Sequence, residues 1–113
     1  MSASPEIILI IDDNEENRYT FARYLRRDNF EVWTAGTGEE GLALAKKRPA
    51  LIMLDIQLPD TTGYELCRIL KTDPVTSSIP VLHTSATFTE SSDKAFGLEG
   101  GADGYLTLSL IHI

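Results

Sequence analysis

The apolar pattern of this chain predicts an α/β domain built on a doubly wound, parallel sheet of five strands. Three observations carry that reading. Short β-branched runs alternate with segments of helical character, two of those runs deliver carboxylates at their C-terminal tips, and turn-forming residues separate the segments. Strands joined through helices pair in parallel and are covered on both faces.

The elements follow in order. Ile7 to Ile11 is a short apolar run suited to a strand buried on both sides. Asn14 can cap the next helix, Glu15 and Glu16 suit its first turn, and Arg26 and Arg27 suit its C-terminal end. Phe21, Ala22 and Leu25 share one face of that helix. Phe30 to Ala35 reads as a second strand, and Thr37 can cap a second helix that runs through Leu42, Leu44 and Ala45 and stops by Pro49. Leu51 to Leu54 is the third strand. Leu58 to Gly63 is a loop by composition, and Tyr64 to Lys71 is a third helix that ends before Pro74. Ile79 to Thr84 is expected as a fourth strand, Thr89 to about Leu98 as a fourth helix, and Gly104 to Thr107 as the start of a fifth strand.

With 113 residues the chain has room for one core, and 42% hydrophobic with 24% charged residues is ordinary for a globular protein. The net charge of −7 disfavours direct contact with nucleic acid or an anionic membrane face and leaves protein partners open. Cys67 has no second cysteine to pair with and reads as a buried helical residue, compatible with a reducing compartment. No stretch resembles a signal peptide or a membrane span, so a cytoplasmic domain without membrane contact is expected.

The chemistry lies at the strand tips. Asp12 and Asp13 follow the first strand and Asp55 follows the third. In an open α/β sheet the C-terminal tips of neighbouring strands converge on a crevice, so the three carboxylates are expected to meet. Two carboxylates about 4 Å apart repel by roughly 4 kcal/mol at an effective dielectric near 20, which invites a hard cation such as Mg²⁺. One carboxylate can then remain free as a nucleophile. Taken singly, each acid could equally cap a helix or end a strand; the combination is what points to a site. Ser85 ends the fourth strand at the same edge, where its hydroxyl could donate to an anionic oxygen, with Thr84 competing for that role. His83 is expected as a strand residue and not a metal ligand, and Trp33 as packing.

Four stretches, taken together, resemble the receiver domain of two-component response regulators. They are Ile8–Asp13, Met53–Gly63, Ile79–Val81 continuing to Ser85–Ala86, and Gly101–Leu106. The resemblance implies the flavodoxin-like receiver fold, with Asp55 as phosphoacceptor and Mg²⁺ held by Asp12, Asp13, Asp55 and the backbone carbonyl of Gln57. It further implies that Ser85 is the switch hydroxyl and Tyr105 the aromatic that turns inward. The implied donor is a phosphohistidine on a histidine kinase or phosphotransfer protein, and the implied reader is a downstream output domain or protein. On this reading the chain is a signalling phosphoacceptor, not an enzyme, although self-catalysed phosphotransfer and dephosphorylation are open to it.

Two other motifs compete. Gly36-Thr37-Gly38-Glu39-Glu40-Gly41 matches a dinucleotide fingerprint, but Glu39 and Glu40 stand where a pyrophosphate would sit. A strand-end aspartate nucleophile also suits a haloacid-dehalogenase-type phosphatase, but Gln57 stands where that chemistry needs a second acid.

The chain departs from the receiver pattern after Thr107. Leu108 stands where receivers carry a lysine, and no fifth helix follows. The segment Leu108 to Ile113 reads as the translation of a transposase-end adapter, which makes residues 1–107 an incomplete receiver and 108–113 a non-native tail. Loss of the lysine defines the alternative, a pseudo-receiver that is not phosphorylated and serves only as an interaction module.

Overall fold

The computed structural model describes residues 5–85 and the backbone of 104–107. The expected fourth helix and the segment 108–113 lie outside the described residues. Strands β1 (Ile7–Ile11), β2 (Glu31–Ala35), β3 (Leu51–Asp55), β4 (Val81–Ser85) and β5 (Gly104–Thr107) form one sheet in the order β2-β1-β3-β4-β5, with every pairing parallel. Helices α1 (Glu15–Arg27), α2 (Gly38–Ala45) and α3 (Gly63–Thr72) connect the first four strands.

Alternation along the central strands divides the core between two faces. Ile8, Ile10 and Met53 pack with Phe21, Ala22 and Val32 against α1. Leu9, Ile11, Ile52 and Leu54 pack with Ala45, Leu66, Cys67 and Leu70 against α2 and α3. Both faces of β1 and β3 are therefore apolar, which explains why these strands read as continuous hydrophobic runs and not as alternating ones. Cys67 is fully buried, as expected, and Trp33 packs at the edge of the second cluster while its indole N–H donates to Glu31 Oε2 at 3.0 Å. No helix among the described residues is long and apolar enough to cross a membrane.

Two of the helix caps, Asn14 and Thr37, are those the sequence signals, and Thr62, read only as loop, caps the third. The Asn14 side chain accepts from the Asn17 amide, Thr37 from Glu40 and Thr62 from Glu65, with acidic residues in each first turn. The fourth strand starts later than expected, at Val81 in place of Ile79. Pro80 has no N–H for a strand ladder, and the Ile79 amide turns back to the Thr76 carbonyl at 3.0 Å, which keeps both residues in the turn. Pro80 still contributes its carbonyl, which accepts from Ile52 at 2.9 Å.

Candidate functional site

The strand order reverses direction at β1: the chain passes first to β2 on one side and then to β3 on the other. That reversal opens a crevice at the C-terminal tips of β1 and β3. Ile11 pairs with Leu54, so Asp12 and Asp55 are the next residues out along neighbouring strands. Carboxylate oxygens of Asp12, Asp13 and Asp55 lie within 4.8 Å of one another. The three acids that sequence reasoning singled out are brought together.

Their environments differ. Asp12 is buried, its Oδ1 accepts from the Asn14 amide at 2.9 Å, and its Oδ2 accepts from Asn17 Nδ2 at 3.3 Å. Burial pushes its carboxyl above the ordinary carboxylate range, against these hydrogen bonds. Asp13 is exposed. Asp55 is half-buried, and its carboxyl is pushed up to about 7, first by burial and then by the charge of Asp12, with a further contribution from Asp13. The backbone N–H groups of Ile56 and Gln57 oppose that rise without cancelling it.

An all-oxygen cluster in which neighbouring charges raise the proton affinity of Asp12 and Asp55 has the donor chemistry of a hard divalent cation site. Asp12, Asp13 and Asp55 fit such an ion. Asn17 and Arg18, which sequence reasoning passed over, support the cluster from α1: Arg18 Nη1 donates to the backbone carbonyl of Asp12 at 2.7 Å. Their signal was available in the helical spacing, since positions 17 and 18 fall in the turn after the Asn14 cap and face back to the loop.

Gly63 secures the other side. Its amide donates to the Ile56 carbonyl at 2.5 Å, and a Cβ there would fall 2.2 Å from the Asp55 carbonyl oxygen. Only a glycine lets α3 begin so close to Asp55. Gln57 lies on the intervening loop, in an isolated bridge with Thr62.

Thr84 pairs with Asp55 across β3 and β4, and Ser85 follows it at the strand end; the side chain of Ser85 lies outside the described residues. Tyr105 pairs with His83 through its backbone, and its side chain is likewise outside them. His83 is fully buried in β4, apart from the acid cluster, with Nδ1 3.3 Å from the Leu54 carbonyl and its ring edge-on to Tyr64. The glycine-rich fingerprint is otherwise engaged. The amides of Gly38 and Glu39 are taken by the Asp60 carboxylate, and that of Gly36 by Glu40 Oε1 at 2.9 Å, which leaves no free anion cradle at that turn.

Comparison with known proteins agrees with this geometry. The family model of the response regulator receiver domain matches residues 8–109. The transcriptional regulatory protein GltR of Pseudomonas aeruginosa is 36% identical over 107 residues, which cover 94% of this chain and 44% of GltR. The chain spans less than half the length of the curated relatives it matches. Among solved structures, the chemotaxis response regulator CheY4 of Vibrio cholerae aligns with a TM-score of 0.84 at 30% identity, covering 92% of this chain and 87% of that one. The Mn²⁺-bound form of the response regulator Rcp1 aligns with a TM-score of 0.81 at 25% identity, covering 95% and 86%.

Proposed function

The chain belongs to the response regulator receiver domain family, and from that premise we propose that it accepts a phosphoryl group on the Asp55 carboxylate and passes the signal on through a change of packing. The observation that carries this reading is the convergence of Asp12, Asp13 and Asp55 within 4.8 Å at the crevice between β1 and β3.

The donor is a phosphohistidine on a histidine kinase or phosphotransfer protein. A carboxylate oxygen of Asp55 attacks phosphorus, the P–N bond breaks, and the imidazole nitrogen takes the electron pair, leaving an acyl phosphate on Asp55. Asp12, Asp13, Asp55 and the Gln57 carbonyl would hold Mg²⁺, which when bound offsets the repulsion between a carboxylate and an incoming phosphoryl group. The backbone N–H groups of Ile56 and Gln57, which point toward Asp55, orient its carboxylate. Asn14 and Asn17 hold Asp12 in place through its two oxygens.

Phosphorylation puts about two negative charges where one stood. Ser85, at the end of β4 next to the Asp55 register, is the hydroxyl we assign to those oxygens, and Tyr105 in β5 is the aromatic that follows its movement. A cytoplasmic setting and a downstream output domain complete the proposal. The expectation of no nucleic-acid contact is confined to this domain's acidic surface, because GltR is a transcriptional regulator and this chain covers 44% of it.

The test is incorporation of phosphoryl label from a phosphohistidine donor or a small-molecule phosphodonor, with and without Mg²⁺. Label that depends on Mg²⁺ and disappears in Asp55→Asn supports the reading. Equal labelling of Asp55→Asn and the parent removes it, and no labelling of either favours the pseudo-receiver.

A further inference from the structure

The loop between β3 and α3 is fastened at both ends, and its outer fastening is a residue to which the receiver resemblance assigns no role. Asp60 Oδ1 accepts from the Gly38 amide at 2.8 Å and Oδ2 accepts from the Glu39 amide at 2.9 Å. These are the first two amides of α2, which no helix can satisfy internally. Thr37, the helix's own cap, takes the Glu40 amide at 3.1 Å. The N-terminal donors of α2 are thus divided between a local cap and a carboxylate on a different loop. The two hydrogen bonds hold the Asp60 carboxyl below the usual carboxylate range, so it stays ionised and keeps both acceptors.

The approach is close. A Cβ on Gly38 would lie 2.5 Å from Thr61 Cγ2 and 3.2 Å from Asp60 Oδ1, so the bare backbone at Gly38 is what admits the loop. At the inner end, the Gly63 amide bonds to the Ile56 carbonyl against Asp55. Between the fastenings the loop closes on itself, with the Leu58 amide donating to the Thr61 carbonyl at 3.1 Å and Gln57 bridging Thr62. Gln57 therefore sits on a short arch whose base is Asp55 and whose tip is bolted to α2.

We propose that Asp60 is a positioning residue for the cation site: by docking on the amides of Gly38 and Glu39, it fixes the arch so that the Gln57 carbonyl is presented to the acid cluster. Both Asp60 oxygens are taken by amides of α2, so its effect on the acids runs through the arch. The proposal rests on the phosphoacceptor reading above, which names Gln57 as a ligand.

The experiment compares Asp60→Ala, Asp60→Asn and Thr37→Ala in the 113-residue chain, measuring Mg²⁺ affinity by calorimetry, thermal midpoint without metal, and label at Asp55 at low and saturating Mg²⁺. Thr37→Ala removes the ordinary cap from the same helix terminus and serves as the purely structural control. Asp60→Ala is expected to weaken Mg²⁺ by about 10-fold, the lower end of what loss of an outer support costs a metal site. Label at saturating Mg²⁺ should recover to near the parent level. Asp60→Asn, which keeps one acceptor and turns a donor toward the second amide, should fall between. Thr37→Ala should lower the midpoint and leave Mg²⁺ affinity within 2-fold.

A shift in Mg²⁺ affinity for Asp60→Ala no larger than for Thr37→Ala overturns the proposal. Should Asp60→Ala fail to fold, Asp60→Asn decides the same comparison. A parent that binds Mg²⁺ through the cluster but takes no label removes the phosphoacceptor reading alone, and the Mg²⁺ titrations still decide Asp60. A parent that binds no Mg²⁺ overturns both.

Discussion

His83 is the residue whose burial is hardest to account for by packing alone. It is fully buried, its Nδ1 lies 3.3 Å from the Leu54 carbonyl, and its Nε2 has no hydrogen-bond partner among the described residues. The carbonyl can only accept, so Nδ1 carries the proton and Nε2 is left as a buried acceptor without a donor among the described residues. Such an orphan costs about 1 to 3 kcal/mol, while the single hydrogen bond at Nδ1 returns about 1. His83→Leu, which fills similar space without polar atoms, should therefore be neutral or stabilising at pH 7.5, whereas His83→Ala should lose about 2 to 4 kcal/mol to the cavity. The pH dependence follows from burial, which lowers the His83 pKa from its ordinary value of 6.5. The unfolded chain then binds a proton at a higher pH than the folded one, so stability is intact above 6.5 and is lost as pH falls from there through the folded value. Denaturant midpoints at pH 7.5 and 5.5 check this: the parent should lose more than His83→Leu on acidification, and equal losses would assign the acid sensitivity to other groups.

The junction of β3 with α3 shows most directly how one element places another. Gly63 begins α3 with its backbone against Asp55, and a methyl group there would meet the Asp55 carbonyl oxygen at 2.2 Å and the Ile56 Cα at 2.9 Å. Both are backbone atoms and cannot swing aside, so Gly63→Ala must move the helix start or the end of β3. A cost of about 1 to 3 kcal/mol in stability is expected, the usual range for forced overpacking, together with weaker Mg²⁺ binding. Urea unfolding and a Mg²⁺ titration measure the two, and an unchanged affinity would show that the strain is absorbed by α3 alone. Gly63 was legible only as a turn residue, because its requirement is set by a contact with residues 55 and 56 that appears once the helix folds back. Local signals carried further: the apolar runs at 7–11 and 51–54, the caps at Asn14 and Thr37, and the acids at both strand tips are all encoded within a few residues. Asp60 was not, since its partners lie 21 and 22 residues away and its composition announced only a loop. The start of β4 was misjudged for a related reason. Ile79 has strand propensity, but the turn from Thr76 and the missing N–H of Pro80 override it.

Across the whole molecule, the acid cluster sets folding stability against the proposed function. Asp55 is held at a pKa of about 7 in the folded chain against 3.8 for a free carboxyl, because burial and the charges of Asp12 and Asp13 disfavour its ionised form. With the folded value the higher, the folded state binds a proton that the unfolded chain has already released. The stabilisation is complete below 3.8 and is lost as pH rises through about 7. At pH 8 without metal, three carboxylates within 4.8 Å therefore oppose folding, in a chain that already carries a net charge of −7. Asp55→Asn removes one charge from the cluster and should be more stable than the parent under those conditions. If Mg²⁺ occupies the proposed site it binds only the folded arrangement, and at 100 times its Kd it should add about 2.7 kcal/mol to the parent and markedly less to Asp55→Asn. Thermal unfolding of the two proteins at pH 6 and pH 8, each with and without Mg²⁺, resolves the point. The variant should lead most at pH 8 without the ion, and its lead should shrink at pH 6, where Asp55 is largely protonated, and shrink or reverse with Mg²⁺. A lead that ignores both pH and Mg²⁺ would mean that Asp55 neither feels its neighbours' charge nor shares a cation with them, and the proposed site would lose its electrostatic basis.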